Sequence, residues 1–498
     1  MHPVPAIHIR SVNDRPLCGD GDFVLYWMTA FRRTTWNFSL QRALEHCREL
    51  KKPLVILEAL RTRYRWASDR IHRFVIDGMA ANQAAVAAAN NHGVLYYPYV
   101  EADHGEGSGL LAALAKRACV VVTDDFPCFF LPQLVALAGK QLPIRLEAVD
   151  SNGLVPLRGT DHAFTMAFHF RRWLQKNLPT WLEKNEFPSA APLQHCDLPP
   201  LAALPAIITK RWQPADLSAL LRDHGLQKLP IDHGVAPAST AGGYEVARTA
   251  LQQFLKHRLA RYADERNQPE QEVASGLSPY LHFGHLSVHE IFAAAVKPEK
   301  WTLACLAKKA TGKNEGWWGT SPPLESFLDE LITWREIGFN FCTHRPDDFD
   351  QYESLPDWCQ KTLAKHARDP RPNLYELTEF EAANTHDPLW NAAQRQLVRE
   401  GRIHNYLRML WGKKILEWSA SPEEALATLI HLNNKYALDG RNPNSYSGIF
   451  WCLGRYDRPW APERPIFGMI RYMSSDNTAR KVRVKNYLQQ YGPERKLF

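Results

Sequence analysis

A change of hydrophobic period near Phe164 limits what this chain can fold into more than any other feature. Before it, apolar runs at Phe23–Met28, Pro53–Leu60, Val94–Val100, Cys119–Thr123 and Ile144–Val149 are short, continuous and bounded by turn residues. Such runs read as strands buried on both faces. Helix-like stretches at Ser39–Leu50, Arg70–Asn90 and Leu110–Arg117 separate them. Strands alternating with helices predict a doubly wound, Rossmann-like parallel sheet, whose ligands bind beyond the carboxyl ends of its strands. After Phe164 the strand pattern stops. Residues 167–187 read as helix, and 188–235 are rich in Pro and Ala without a long period, as in a linker draped over a surface. From Gly243 onward nearly everything reads as helix. The expected organisation is an α/β domain at 21–165, a linker with one helix at 166–235 and an all-α domain at 236–498, with no internal repeat. A length of 498 residues suits two or three domains.

Composition narrows the class. Hydrophobic content of 45% and charged content of 23% describe a soluble globular protein. Net charge is +7 and the sequence pI near 8.8, a mild excess that permits a polyanionic partner. From Arg471 to Phe498 the bias grows: Arg471, Arg480, Lys481, Arg483, Lys485, Arg495 and Lys496 stand against Asp476 and Glu494. A solvated tail and a phosphate-facing rim both fit that pattern. Nine cysteines without a CxxC pair read as a reduced, intracellular protein with no metal site. No apolar run is long enough to span a membrane, and the N-terminus lacks the apolar core of a secretory signal. A cytoplasmic monomer is expected, nucleoid-associated in a prokaryote.

Within the helical half, Thr385–Trp418 carries three tryptophans, at 390, 411 and 418. Gly401 divides the stretch, as a glycine accepting positive φ does at a helix end. Leu407, Leu410, Trp411, Ile415 and Trp418 then recur at spacings that put Trp411 and Trp418 on one helix face, two turns apart. Trp390, on the preceding helix, can pack back on that face. By spacing alone such rings are core filler. Ser421-Pro422-Glu423-Glu424 predicts a capped helix start, and Thr378 to Glu381 repeats the capping-box pattern. Gly105, Gly107 and Gly109 follow a strand, but GxGxG is not the dinucleotide spacing and reads as a flexible turn.

Ser275-Gly276-Leu277-Ser278-Pro279 can offer donors to a phosphate or form an ordinary helix start with Pro in the first turn. Glu330 and Trp334, at i and i+4, can set a carboxyl beside an aromatic platform. Glu330 can also pair with Arg335 on a solvated face, the reading that spacing favours. Asn433 and Asp439 sit in an Asn, Asp and Gly cluster that usually means loop.

The motifs HDPLWN, HNYLRMLW, KKILEW, LSPYLHFG, LDGRNPN and IRYMS, in this order along Tyr262–Tyr491 apart from LSPYLHFG, which precedes them, resemble the photolyase and cryptochrome superfamily. The similarity is closest to class II cyclobutane pyrimidine dimer photolyases. The N-terminal half matches more thinly, in VLYWM, VTDDFP and strand order. It departs at TAFRRTTWNFSL, where an acidic-Asn-Trp pattern is usual. The resemblance implies FAD, active as FADH⁻, in the helical domain, contacted by Tyr262, Ser275, Leu277, Ser278, Arg408, Asn433 and Asp439. The usual Asn or Arg of the phosphate loop is replaced by Gly276. It implies an electron relay through Trp411, Trp390 and Trp418, proximal to distal. It also implies lesion contacts from Arg266, Glu330, Trp334, Met409, Trp451, Arg458 and Trp460. The segment joining Trp451 to Trp460 is one residue shorter than usual.

The implied reaction is light-driven repair of pyrimidine dimers flipped out of UV-damaged DNA, double- or single-stranded, with an electron lent by the excited flavin. Glu330 would hydrogen-bond the dimer, and Asn433 would face flavin N5, where an amide disfavours protonating the flavin radical. An antenna chromophore, an 8-hydroxy-deazaflavin ahead of a folate, or none, is expected in the first domain. The rival readings are a cryptochrome-type blue-light photoreceptor, a flavin-free DNA-binding scaffold and a (6-4) lyase. Asn433 and Glu330 argue against the first, and the Ser275–Ser278 loop against the second. A (6-4) lyase would carry a His pair in its lesion pocket.

Overall fold

The computed structural model describes residues 2–183, 187–194 and 196–493. Glu494, Arg495 and Lys496 of the basic C-terminal stretch, and residues 184–186 of the expected 167–187 helix, lie outside the described residues. The chain forms two compact units, each built from three segments. The first comprises Met1–Thr160, Leu178–Gln252 and Gly276–Pro298; the second comprises Asp161–Asn177, Gln253–Ser275 and Glu299–Phe498.

The first unit holds a six-stranded sheet: β1 (Ile9–Ser11), β2 (Phe23–Met28), β3 (Leu54–Leu60), β4 (Val94–Val100), β5 (Ala118–Asp124) and β6 (Leu146–Val149), in the order β1-β6-β5-β2-β3-β4. The five strands β2–β6 pair in parallel and match the apolar runs. β1 pairs antiparallel with β6 at the edge. Its three residues are too short to show a period, so the sequence did not announce it. Successive residues of β2 serve opposite faces. Phe23, Leu25 and Trp27 enter one core with Leu57, Tyr97 and Leu114. Val24, Tyr26 and Met28 enter the other with Phe38, Leu44 and Ile56. Four helices join the strands: α1 (Phe38–Leu50), α2 (Asp69–Ala88), α3 (Leu110–Ala115) and α4 (Leu131–Gln141).

Two carboxylates tie down loops at the carboxyl edge. Asp124 is fully buried and accepts from the Thr29, Ala30 and Phe31 N–H groups at 2.8, 2.7 and 2.9 Å, and from the Tyr26 hydroxyl at 2.8 Å. Glu101 accepts from the Gly105 and Gly107 N–H groups at 2.9 and 3.3 Å, so the GxGxG turn spends its donors on an internal acid.

The segment read as a surface linker is packed instead. It forms short helices at Ala206–Arg211 and Leu217–Leu221 and buries Ile208, Trp212, Leu217, Leu226, Leu229 and Val235. Anchors spaced one at a time leave no period to read. The unit borders also differ from the expected breaks at 165 and 235. The Val288–Val296 helix and the preceding His285 belong to the first unit, where His285 accepts from the Gly243 N–H at 3.0 Å. Gly284, at φ 72°, lies so close to Ala30 that a Cβ would overlap its carbonyl.

The second unit is helical. Ser421 caps Pro422–Tyr436 by accepting from the Glu424 N–H. The capping box expected at Thr378–Glu381 forms two residues earlier: Glu376 is the cap and Glu379 closes it. Glu381 is drawn away by Lys435 and His431, at 2.8 and 3.0 Å.

Candidate functional site

The expected site residues fall mainly in the second unit. Helix Pro388–Glu400 is capped by Asp387, which accepts from the Leu389 and Trp390 N–H groups, and ends at Gly401 with φ 70°. Helix Asn405–Trp418 follows after a short turn. Trp390, Trp411 and Trp418 are all buried. The Trp390 ring lies parallel to Trp411 at 6.5 Å between centroids and edge-on to Trp418 at 5.9 Å. Trp390 therefore sits between the other two rings. Its indole N–H donates to the Trp411 carbonyl at 3.0 Å, and the Trp411 N–H donates to Gln394 Oε1 at 2.9 Å. These bonds fix ring orientation, which apolar packing alone leaves free. Trp418 also meets Tyr375 and His386, at 5.6 and 5.0 Å, two residues the sequence did not single out.

A second cluster forms around Glu330. Helix Pro322–Leu328 runs through a π-helical stretch, Asp329–Trp334, into helix Arg335–His344. Wide turns of this kind recur at functional positions. The ion pair expected between Glu330 and Arg335 is not the one formed. Glu330 pairs with Arg266, while the Arg335 guanidinium lies 4.2 Å from the Phe339 centroid. Burial pushes the Glu330 carboxyl above its ordinary range, with Arg266 pulling the other way. Arg266 also lies 5.8 Å from the Tyr262 centroid, and Tyr262 is itself buried edge-on to Phe254 and Phe327.

Trp334 stacks on Trp451 at 4.5 Å and 21°. Arg171 ion-pairs with Asp329 at 2.7 Å and lies 6.0 Å from the Trp334 ring. Together these residues place a partly buried carboxyl, a guanidinium and an aromatic surface side by side. Met409 is half-buried on the relay helix. Trp460 is 40% exposed and lies between Arg458 and Arg471, at 5.5 and 5.2 Å.

A third group suits a planar heterocycle. Arg408 and Asp439 form an ion pair at 3.0 Å. Asn433 is buried on helix Pro422–Tyr436, and its amide donates to the Ser445 hydroxyl. Gln394 Nε2 and Trp451 Nε1 are buried donors with no hydrogen-bond partner among the described residues. Buried donors left without a protein partner point to a ligand or water that completes them. A guanidinium, a carboxylate and an amide fit the alternating donors and acceptors of a flavin ring. The expected phosphate loop divides between units, with Ser275 in the second and Leu277 and Ser278 in the first. Leu277 is buried, and Ser278 opens a five-residue helix with Pro279 in its first turn.

No family model matches the chain. A deoxyribodipyrimidine photo-lyase from Methanothermobacter thermautotrophicus is 33% identical over 488 residues, covering 98% of each chain. Enzymes of the same name from Potorous tridactylus and Oryza sativa subsp. japonica are 32% and 34% identical, covering 94% of this chain and 81% and 87% of theirs. A crystal structure of a bacterial class III photolyase from Agrobacterium tumefaciens shares the fold, with a TM-score of 0.67 at 16% identity over 95% of this chain and 86% of that one. The depth and length of these matches show that this chain belongs to the deoxyribodipyrimidine photo-lyase family.

Proposed function

We propose that this protein is a class II enzyme that repairs cyclobutane pyrimidine dimers in UV-damaged DNA under light. The observation that carries the reading is the Glu330 carboxyl, held by Arg266 beside the stacked Trp334–Trp451 pair. An extrahelical dimer needs an aromatic surface to replace lost base stacking and a polar group for its exposed edge. Trp334, Trp451 and Met409 supply the surface, and Glu330 the polar group. Paired with the Arg266 guanidinium, the Glu330 carboxylate can accept a hydrogen bond from a pyrimidine N–H on that edge. Arg266 orients that carboxyl. Arg458 and Trp460 extend the contact to the strand around the lesion.

Reduced FAD, when bound, supplies the light-excited electron that opens the cyclobutane ring. Tyr262, Ser275, Arg408, Asn433 and Asp439 of the second unit would hold it. Asn433, an amide, has no ionisable proton to release to the ring. Trp411, Trp390 and Trp418 offer stacked and edge-on contacts along which the protein can be re-reduced. For the first unit we propose an antenna, an 8-hydroxy-deazaflavin ahead of a folate. The reading is supported by Trp66 and Phe129, which stack at 6.2 Å and hold positive φ of 68° and 60° after β3 and β5. Backbone strain of this kind gathers at ligand sites.

The test is direct. Purified, chemically reduced protein is illuminated with an oligonucleotide carrying one dimer, and restored template activity is measured. Repair is expected in light and not in darkness. Flavin absorption without any repair would replace this reading with the photoreceptor alternative.

A further inference from the structure

Residues 307–317 of the second unit, outside the site above, form a closed loop. The Ala307 N–H donates to the Trp317 carbonyl at 2.9 Å and ties its ends together. Three exposed lysines, Lys308, Lys309 and Lys313, stand on it against one exposed acid, Glu315. Among the described residues none of these lysines has an ion-pair partner, nor do exposed Arg172 and Lys176 on helix Ala167–Glu183.

Exposed lysines on a free loop would be an ordinary solvated surface. This loop is held. Glu325 accepts from the Gly316, Trp317 and Trp318 N–H groups at 2.7, 2.8 and 2.9 Å. Gln175 clamps the other side, accepting from the Gly312 N–H at 2.7 Å and donating to the Lys313 carbonyl at 2.9 Å. Gly312, at φ 78°, rests so closely on the Phe168 ring that a Cβ would meet it at 2.8 Å. Compact loops with joined ends are often functional. Fixing the backbone in advance lowers the entropy lost when the lysines engage a partner.

The anchor also fixes location. Gln175 and Arg171 lie one turn apart on one helix, and Arg171 reaches both the Gly312 carbonyl and Asp329, the neighbour of Glu330. One side chain thus links the loop to the helix that carries Glu330 and Trp334.

We propose that Lys308, Lys309 and Lys313, flanked by Arg172 and Lys176, form a pre-anchored ridge that binds the phosphodiester backbone of DNA next to the flipped lesion. This rests on the reading that dimer-containing DNA is the substrate. Phosphate contacts position a duplex and carry no base information, so the ridge strengthens damaged and undamaged DNA alike.

The test compares wild type, K308Q/K309Q/K313Q and K308R/K309R/K313R in binding dimer-containing and undamaged duplexes across a salt series. The glutamine variant is expected to weaken binding to both duplexes by a similar factor. Its log–log salt slope should be shallower by ~0.9 per lost phosphate contact, up to ~2.7 for three. The arginine variant should keep the wild-type slope, and repair at saturating DNA should stay at the wild-type rate in both. An unchanged slope in the glutamine variant overturns the ridge, as does a loss confined to damaged DNA or an equal loss in the arginine variant. If wild type itself neither binds nor repairs dimer DNA, the functional reading falls and the ridge with it.

Discussion

Replacing Trp390 by Phe tests whether the middle ring of the tryptophan set conducts or merely fills space. Trp390 is fully buried and touches both Trp411 and Trp418. Phe keeps a six-membered ring but removes the N–H that donates to the Trp411 carbonyl. That neutral hydrogen bond contributes ~1 kcal/mol. The lost pyrrole portion leaves a void of roughly 40 Å³, which at ~24 cal/mol per Å³ costs about 1 kcal/mol more. A total near 2 kcal/mol is a fraction of the ~5–15 kcal/mol that holds a typical domain together, so the variant folds. Alanine there would cost about 3–5 kcal/mol and confuse loss of fold with loss of relay. Trp390→Phe is therefore expected to melt a few degrees below wild type and to bind flavin normally. Under blue light with an external reductant its flavin absorption should stay in the oxidised form. After chemical reduction the same variant should repair dimers at the wild-type rate. Photoreduction at the wild-type rate would refute the relay argument. Loss of repair by the pre-reduced protein would show that the residue acts through the site instead.

Three further outcomes are expected. Glu330→Ala should lower the repair rate about tenfold or more, because a hydrogen bond involving a charged group contributes ~1.5–3 kcal/mol; an unchanged rate in single-turnover illumination would remove Glu330 from the site. Trp451→Ala breaks the stack with Trp334 and should weaken binding to dimer-containing oligonucleotide by ~1–3 kcal/mol, with undamaged DNA unaffected in a competition assay. In the first unit, burial alone would raise the Glu147 pKa, but hydrogen bonds and charge from His46 and Arg42 outweigh it and hold the carboxyl down to about 2. Its stabilisation is present above the unfolded value of 4.5 and is lost as pH falls through about 2. Glu147→Gln should thus cost about 3 kcal/mol at pH 7, and much less near pH 2, in urea unfolding.

Much of this was legible along the chain because it follows from local period. The runs at β2 and β4 matched their strands end to end, and Gly401 marked the helix end at which it has φ 70°. What failed to read was structure made by isolated or distant partners. β1 has three residues and depends on β6, more than a hundred positions later. The 188–235 segment is held by single anchors such as Trp212. Nothing local distinguishes Thr378 from Glu376 as a cap until Lys435 and His431 claim Glu381.

The division into a parallel-sheet half and a helical half, and the shared helix face of Trp411 and Trp418, are written in the order of residues alone. Both are properties of side-chain period along one element. Folding in three dimensions is what pairs Glu330 with Arg266, 64 positions away, instead of nearby Arg335. It likewise decided that Trp390 lies between the other two rings and that Gln175 pins the lysine loop. Charges and rings choose partners by distance and burial in three dimensions, and spacing along a helix offers only the neighbours that helix happens to provide.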